Sequence, residues 1–195
     1  MLNDKLKSYE LILASGSPRR QHLLEEMGLQ FKVLTKPINE VYPDDLTPNE
    51  IATYLSRLKA AAFDKKDFSD NTLIITADTV VTINGVILGK PANETEAIEI
   101  LRHLSGKTHE VITGVSLRTV LKEHTFSVST YVVFKQLSDD EINYYINMFK
   151  PYDKAGAYGI QEWIGHVAIE KIEGSYFNVM GLPTHQLYEE LLKFI

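Results

Sequence analysis

The chain has 195 residues, 44% of them hydrophobic and 24% charged, which suits one water-soluble domain or two small lobes with a core that needs no staples. It has no cysteine, which excludes disulfides, thiolate metal sites and cysteine nucleophiles. Its net charge of -6 comes from 20 Lys+Arg against 26 Asp+Glu; with the basic residues scattered, this argues against nucleic acid as a partner, and a polar start with no long apolar run leads us to expect a cytoplasmic, non-membrane protein.

Glu10 to Ala14 is a short apolar run, predicted as a buried strand. Ser15-Gly16-Ser17-Pro18 interrupts it. Ser17 suits an N-cap and Pro18 the first helical position, so a helix is predicted to about Met27, with Gly28 as its stop. Phe31 to Thr35 reads as a second strand. Thr47-Pro48-Asn49-Glu50 is a capping box that opens a long helix with an apolar stripe of Ile51, Leu55, Leu58 and Ala62. Thr72 to Ala77 reads as a buried strand, and Val80 to Leu88 as a hairpin turning at Asn84-Gly85.

Glu94 to Leu104 is a helix stopped by Ser105-Gly106. Thr108 to Val120 and Thr125 to Gln136 read as adjacent antiparallel strands. Ser138 to Glu141 is a second capping box, and its helix carries Ile142, Tyr145, Ile146 and Phe149. Pro151 to Trp163 reads as a loop, His166 to Ile172 as a strand, and the chain ends in a helix after Pro183. The order is neither strictly alternating nor segregated, so the class is α/β or α+β around one mixed sheet. No repeat or linker divides residues 1–195.

Two places carry chemistry. The first is Ser15 to Arg20. A strand, a Ser/Gly turn and a helix N-terminus form an anion-binding arrangement. Arg19 and Arg20 fall in the first helical turn, where the dipole disfavours cations. Either a phosphate relieves that conflict, or the pair is a solvated face of an ordinary capped helix. The second is Asp78-Thr79, behind the apolar strand. Asp78 there is a general base, a metal ligand, or the start of a turn between strands.

Other candidates have equally ordinary alternatives. Glu40, in an acidic loop, could share a magnesium or manganese ion with Asp78, or be solvated. Lys59 sits at the edge of the helix stripe, and Lys90 follows the hairpin; each is a phosphate contact or a surface lysine. Gln161 closes a glycine-punctuated loop and offers both a donor and an acceptor for a base edge. Scattered histidines exclude the common zinc motif, and no nucleophile elbow surrounds a serine.

Taken together, these segments resemble the Maf family of nucleoside triphosphate pyrophosphatases. The matching pieces are Ala14 to Arg20 with Leu23-Leu24, Glu40, Arg57 to Ala60, Ala77 to Val81, Gly89-Lys90-Pro91, Leu104 to Gly106, Thr113 to Val115, Asp153 to Gln161 and Gly174 to Pro183. They run in the family's order over nearly the whole chain. The resemblance implies a single Maf/ITPase-like domain over residues 1–195, with a curved mixed sheet and two lobes around a nucleotide cleft. It implies a divalent-metal-dependent enzyme, usually a homodimer, that removes unwanted nucleotides by releasing pyrophosphate. Asp78 falls on the proton-acceptor position; Arg19, Thr79 and Gln161 on positions tied to substrate choice; and Ser15, Arg20, Glu40, Lys59 and Lys90 around the triphosphate, Glu40 and Asp78 toward the metal. The D-K-A-G-A-Y-G-I-Q form resembles the branch that prefers dTTP and UTP. Two departures stand out: Glu162-Trp163 where many members have glycine, and Ser56 where a small apolar residue is common. A rival role is a nucleotide-binding regulator of septum formation without turnover.

Overall fold

The computed structural model describes residues 1–64, 66 and 68–195. In chain order the elements are α1 (Leu2–Leu6), β1 (Glu10–Leu13), α2 (Pro18–Glu26), β2 (Lys32–Val33), α3 (Pro48–Ala61), β3 (Thr72–Ile83), β4 (Val86–Leu88) and α4 (Glu94–Leu104). They continue with β5 (Thr108–Arg118), β6 (Glu123–Phe134), α5 (Asp139–Phe149), a 3₁₀ turn at Ala155–Ala157, α6 (Trp163–Val167), β7 (Ile169–Glu173), α7 (Tyr176–Met180) and α8 (Thr184–Phe194). The strands form one mixed sheet in the order β2-β1-β3-β5-β6-β7, with β4 paired to β3. β1 is parallel to both β2 and β3, whereas β3–β4 and β6–β7 are antiparallel. A mixed sheet with accompanying helices is the predicted class.

Two compact units share this chain. The first holds 1–78, 113–128 and 181–195; the second holds 79–112 and 129–180. In the first, α3 lies very close to the sheet. A Cβ on Gly114 of β5 would stand 2.2 Å from the Ala52 carbonyl oxygen, so glycine is required there. Thr76 of β3 donates a 2.6 Å hydrogen bond to the Ser56 carbonyl. The Ser56 hydroxyl also reaches that of Ser116 at 3.3 Å, a buried polar contact that an apolar side chain would not make. In the second unit, α4 and α5 pack together over a core that includes Val81, Leu101, Phe134, Tyr145 and Ile164.

The local signals hold where hydrogen-bond chemistry fixes them. Thr47 and Ser138 both make the predicted capping boxes, and Asn84-Gly85 turns the hairpin with positive φ at both residues. Four corrections follow. Asp78 lies inside the twelve-residue strand β3, not at its end; aspartate is depleted from strands and so reads as a break. The buried face of α3 is Ile51, Ala52, Leu55, Ser56 and Ala60, while Leu58 and Ala62 are only half-buried. Residues predicted as loop and strand at 163–168 include the short helix α6, and β7 starts only at Ile169. The segment at Phe31–Thr35 pairs over Lys32–Val33 alone. Short helices such as α1, α6 and α7 leave too few residues for a helical period to register. Among the described residues, no helix is long and apolar enough to cross a membrane.

Candidate active site

In the first unit, β1 runs into Ser15-Gly16-Ser17 and then α2, whose first residue is Pro18. Ser17 stands at the N-cap without a side-chain cap bond. Its N–H instead donates to the Ser15 hydroxyl oxygen at 3.3 Å, which tightens the turn. Arg20 does not point away from the protein. Its Nε donates to the Gly181 carbonyl at 2.7 Å, and its Nη1 to the Ala77 carbonyl at 2.8 Å and the Ser15 hydroxyl at 3.2 Å. One planar guanidinium thus ties the Ser15 turn, the residue before Asp78 and the start of the C-terminal segment. Burial pulls this guanidinium below its ordinary pKa; the Asp78 carboxylate opposes that pull, Arg19 adds to it and Glu40 opposes it. Arg19 is half-buried in the same helical turn.

Asp78 and Glu40 meet at one cation. Lys59, in the last turn of α3, places its ammonium on Asp78 Oδ1 and 3.0 Å from Glu40 Oε1. The Lys59 and Asp78 side chains are 18% and 13% exposed, and that of Glu40 is 46% exposed. The hydrogen bond from Thr76 to the Ser56 carbonyl fixes α3 against β3 one helical turn before Lys59, which holds the lysine over Asp78. Beside this triad lies a cavity of about 310 Å³ lined by Ser15, Gly16, Lys36, Glu40, Lys59 and Phe63, among others. A polar hollow of that size, with a lysine on its wall, can take a phosphate chain.

The second unit holds Thr79, Lys90 and Gln161. Thr79 is half-buried in β3. Lys90 is exposed just after β4, and the carbonyl of its neighbour Gly89 accepts from Gly156 N at 3.1 Å, which ties it to the Asp153–Gln161 loop. That loop bends at Gly156, whose φ of +71° suits glycine, and where a Cβ would meet Val81 at 2.9 Å. Gln161 is half-buried, yet its Oε1 is buried with no hydrogen-bond partner among the described residues. A buried acceptor without a partner carries a desolvation cost that a donor would relieve.

The model of the Maf-like protein family matches residues 10–194. This chain belongs to the Maf family. A dTTP/UTP pyrophosphatase of Phocaeicola vulgatus is 54% identical over 97% of this chain and 98% of its own length. Proteins of the same name from Porphyromonas gingivalis and Flavobacterium johnsoniae are 51% and 48% identical, covering 98% and 100% of this chain and 97% and 100% of their own. The solved Ham1 protein of Staphylococcus aureus superposes with a TM-score of 0.43 at 15% identity, covering 64% of this chain and 71% of that one, a likeness that carries no argument about the site.

Of the Maf-pattern residues, contacts in the first unit join Ser15 to Arg20 and gather Glu40, Lys59 and Asp78 on one ammonium. Thr79, Lys90 and Gln161 stand in the second unit. Sequence reasoning missed the carbonyls of Ala77 and Gly181, because backbone acceptors leave no mark in a side-chain pattern. It also missed Lys36, which lines the cavity and lies 5.1 Å from the Phe63 ring centroid. A lysine between a strand and the Glu40 loop was the available signal.

Proposed function

We propose that this Maf protein hydrolyses dTTP and UTP to the monophosphate and pyrophosphate. Its relatives carry that activity in their names over their full lengths. The observation that carries the reading at the level of chemistry is the Asp78–Lys59–Glu40 triad beside the Ser15 cavity. A carboxylate held by a lysine, next to a hollow with phosphate-binding character, is what in-line attack by water requires. Water oxygen bonds to the α-phosphorus, the bond to the bridging oxygen breaks, and Asp78 takes the water proton. Arg19, Lys59 and Lys90 stabilise charge on the departing pyrophosphate, and the Ser15 turn at the start of α2 receives phosphate oxygens. Arg20, with its hydrogen bonds to Ala77, Gly181 and Ser15, positions the backbone beside Asp78. Thr79 and Gln161 select the base.

Glu40 and Asp78 fit a hard divalent cation, magnesium or manganese, because two carboxylates already converge on one positive charge. Among the described residues no group of three or more His, Asp or Glu is assembled for a metal. Glu40 and Asp78 are the residues that would hold the ion. Such an ion, when bound, polarises phosphate oxygens and acidifies water. We take the working form to be a cytoplasmic homodimer; sedimentation at micromolar concentration tests the assembly.

The deciding experiment measures pyrophosphate release from a panel of nucleoside triphosphates with magnesium or manganese. Release from dTTP and UTP ahead of the purine nucleotides is expected. Tight binding with no release from any of them would overturn the reading in favour of a regulator.

A further inference from the structure

Glu162 sits at the centre of a closed network in the second unit. The Gly159 carbonyl accepts from Glu162 N at 3.0 Å, closing a four-residue turn with Gln161 at its third position. The two ends of that turn are held by one phenol. Tyr145 donates its hydroxyl hydrogen to Glu162 Oε2 and accepts from Gly159 N at 3.0 Å. The other carboxylate oxygen, Glu162 Oε1, lies 3.1 Å from the ammonium of Lys154, whose side chain is 9% exposed and which also reaches Asp153 at 2.7 Å. Burial first, then the Glu162 carboxylate, hold the Tyr145 hydroxyl well above the ordinary phenol range, so it remains a donor.

The Gln161 and Glu162 side chains fold back over the same α-carbon. A Cβ on Gly159 would stand 2.8 Å from Glu162 Cδ and 2.9 Å from Gln161 Nε2. A Cβ on Gly165 would stand 1.7 Å from the Ile160 carbonyl oxygen, so the following helix α6 presses on the turn as well. The Gln161 amide is therefore packed against the turn that Glu162 closes.

We propose that Glu162 is a positioning residue for base selection: with Tyr145 and Lys154 it fixes the turn that presents the Gln161 amide. This rests on the reading of Gln161 as the residue that meets the base. The network thus pre-orders a hydrogen-bonding side chain, so that less freedom is lost on binding.

The test compares kcat/KM for UTP and GTP in the full chain and in Gln161→Ala, Glu162→Ala, Glu162→Gln and the Gln161→Ala/Glu162→Ala double variant. Loss of one directed hydrogen bond is worth about tenfold, so Gln161→Ala is expected to lower the UTP/GTP ratio by about that factor. Glu162→Ala is expected to lower it several-fold, mostly through KM for UTP. Glu162→Gln, which still accepts from the Tyr145 phenol, should restore most of it. In the Gln161→Ala background, Glu162→Ala should leave the ratio where it was. Equal losses for UTP and GTP in Glu162→Ala, or a further drop in ratio without Gln161, would overturn the proposal while sparing the Gln161 reading. An unchanged ratio in Gln161→Ala itself would sink both. Should Glu162→Ala not fold, Tyr145→Phe removes only the hydroxyl: a lowered ratio supports the proposal, and a wild-type ratio overturns it.

Discussion

Lys59 and Lys154 each stand between two carboxylates, Lys59 between Asp78 and Glu40, Lys154 between Asp153 and Glu162. The ions are the same, but their surroundings differ. Each triad has one exposed carboxylate, Glu40 or Asp153, and one largely buried, Asp78 or Glu162, but Lys59 and Glu40 line an open cavity of about 310 Å³. Lys154 is buried, and its partner Glu162 also holds the Tyr145 phenol and closes a turn. Packing around an ion triad, more than its composition, decides whether its charges are available to a ligand or tied up in the fold. A triad that must release its lysine to a phosphate has to stay accessible. One that holds a loop in place is better sealed.

The sharpest way to break this comparison is to remove each ammonium in turn. Lys154→Met leaves the largely buried Glu162 without its cation, and breaking a buried pair costs about 3–5 kcal/mol. The low end, about 3–4 kcal/mol, is expected because Glu162 keeps the phenol. Lys59→Met opens onto the cavity that Glu40 also lines, so water can take the place of the ammonium, and it is expected to cost less, about 1–2 kcal/mol. Its kcat/KM for UTP should nevertheless fall roughly 100-fold, the scale of a lost charge contact in the transition state. Urea unfolding and steady-state kinetics read both quantities. Equal destabilisation by the two variants would remove the distinction between them.

His109 sharpens the description of the sealed region. It is buried, its Nε2 lies 2.7 Å from the Tyr158 hydroxyl in the same loop as Lys154, and burial lowers its pKa to about 4. The unfolded chain takes up a proton near pH 6.5, but the folded one resists it. His109 therefore contributes stability fully present above pH 6.5 and lost progressively as the pH falls toward 4. The full shift corresponds to about 3 kcal/mol. His109→Gln should flatten that part of the stability–pH curve relative to the wild type. Parallel curves for the two proteins would show that the imidazole titrates freely in the folded state.

At the accessible triad, Asp78→Asn keeps the shape of the side chain and removes the base. A fall in kcat of roughly 100-fold or more is expected. Near-normal turnover would sink the assignment of Asp78. Both triads bear on what the amino-acid sequence reveals. Glu40, Lys59 and Asp78 were each legible as candidates, but not their meeting. They come from a loop, a helix and a strand, and only tertiary packing puts them on one ammonium. Asp78 looked like a strand end because aspartate disfavours strands; Lys59 supplies the charge that makes it tolerable inside β3. Tyr145 fitted the apolar stripe of α5, and nothing local announced that its hydroxyl would find a carboxylate seventeen residues on. The Arg20 acceptors at Ala77 and Gly181 are backbone atoms, invisible to any motif. Capping boxes and the Asn84-Gly85 turn were legible because their chemistry closes within a few residues.

The smallest expected effects separate helix stability from site geometry. Thr47 caps α3, which carries Lys59, and Ser138 caps α5, which carries Tyr145; each hydroxyl oxygen accepts from the N–H three residues on, at 3.4 and 3.2 Å. Alanine at either position should cost about 1 kcal/mol. Lys59 lies twelve residues from its cap, about 18 Å along the helix, and Tyr145 seven residues, about 10 Å. Fraying of a first turn does not reach that far. Lys59 is held instead by its own carboxylates and by the Thr76–Ser56 hydrogen bond, and Tyr145 by Glu162 and Gly159. Thr47→Ala should therefore lower the unfolding midpoint while leaving kcat for UTP within about twofold of wild type, a difference of under 0.5 kcal/mol. Ser138→Ala should do the same and leave the UTP/GTP ratio unchanged. A tenfold loss of kcat in Thr47→Ala would mean that Lys59 depends on the whole of α3 for its position, and the accessible triad would then be bound into the fold no less tightly than the sealed one.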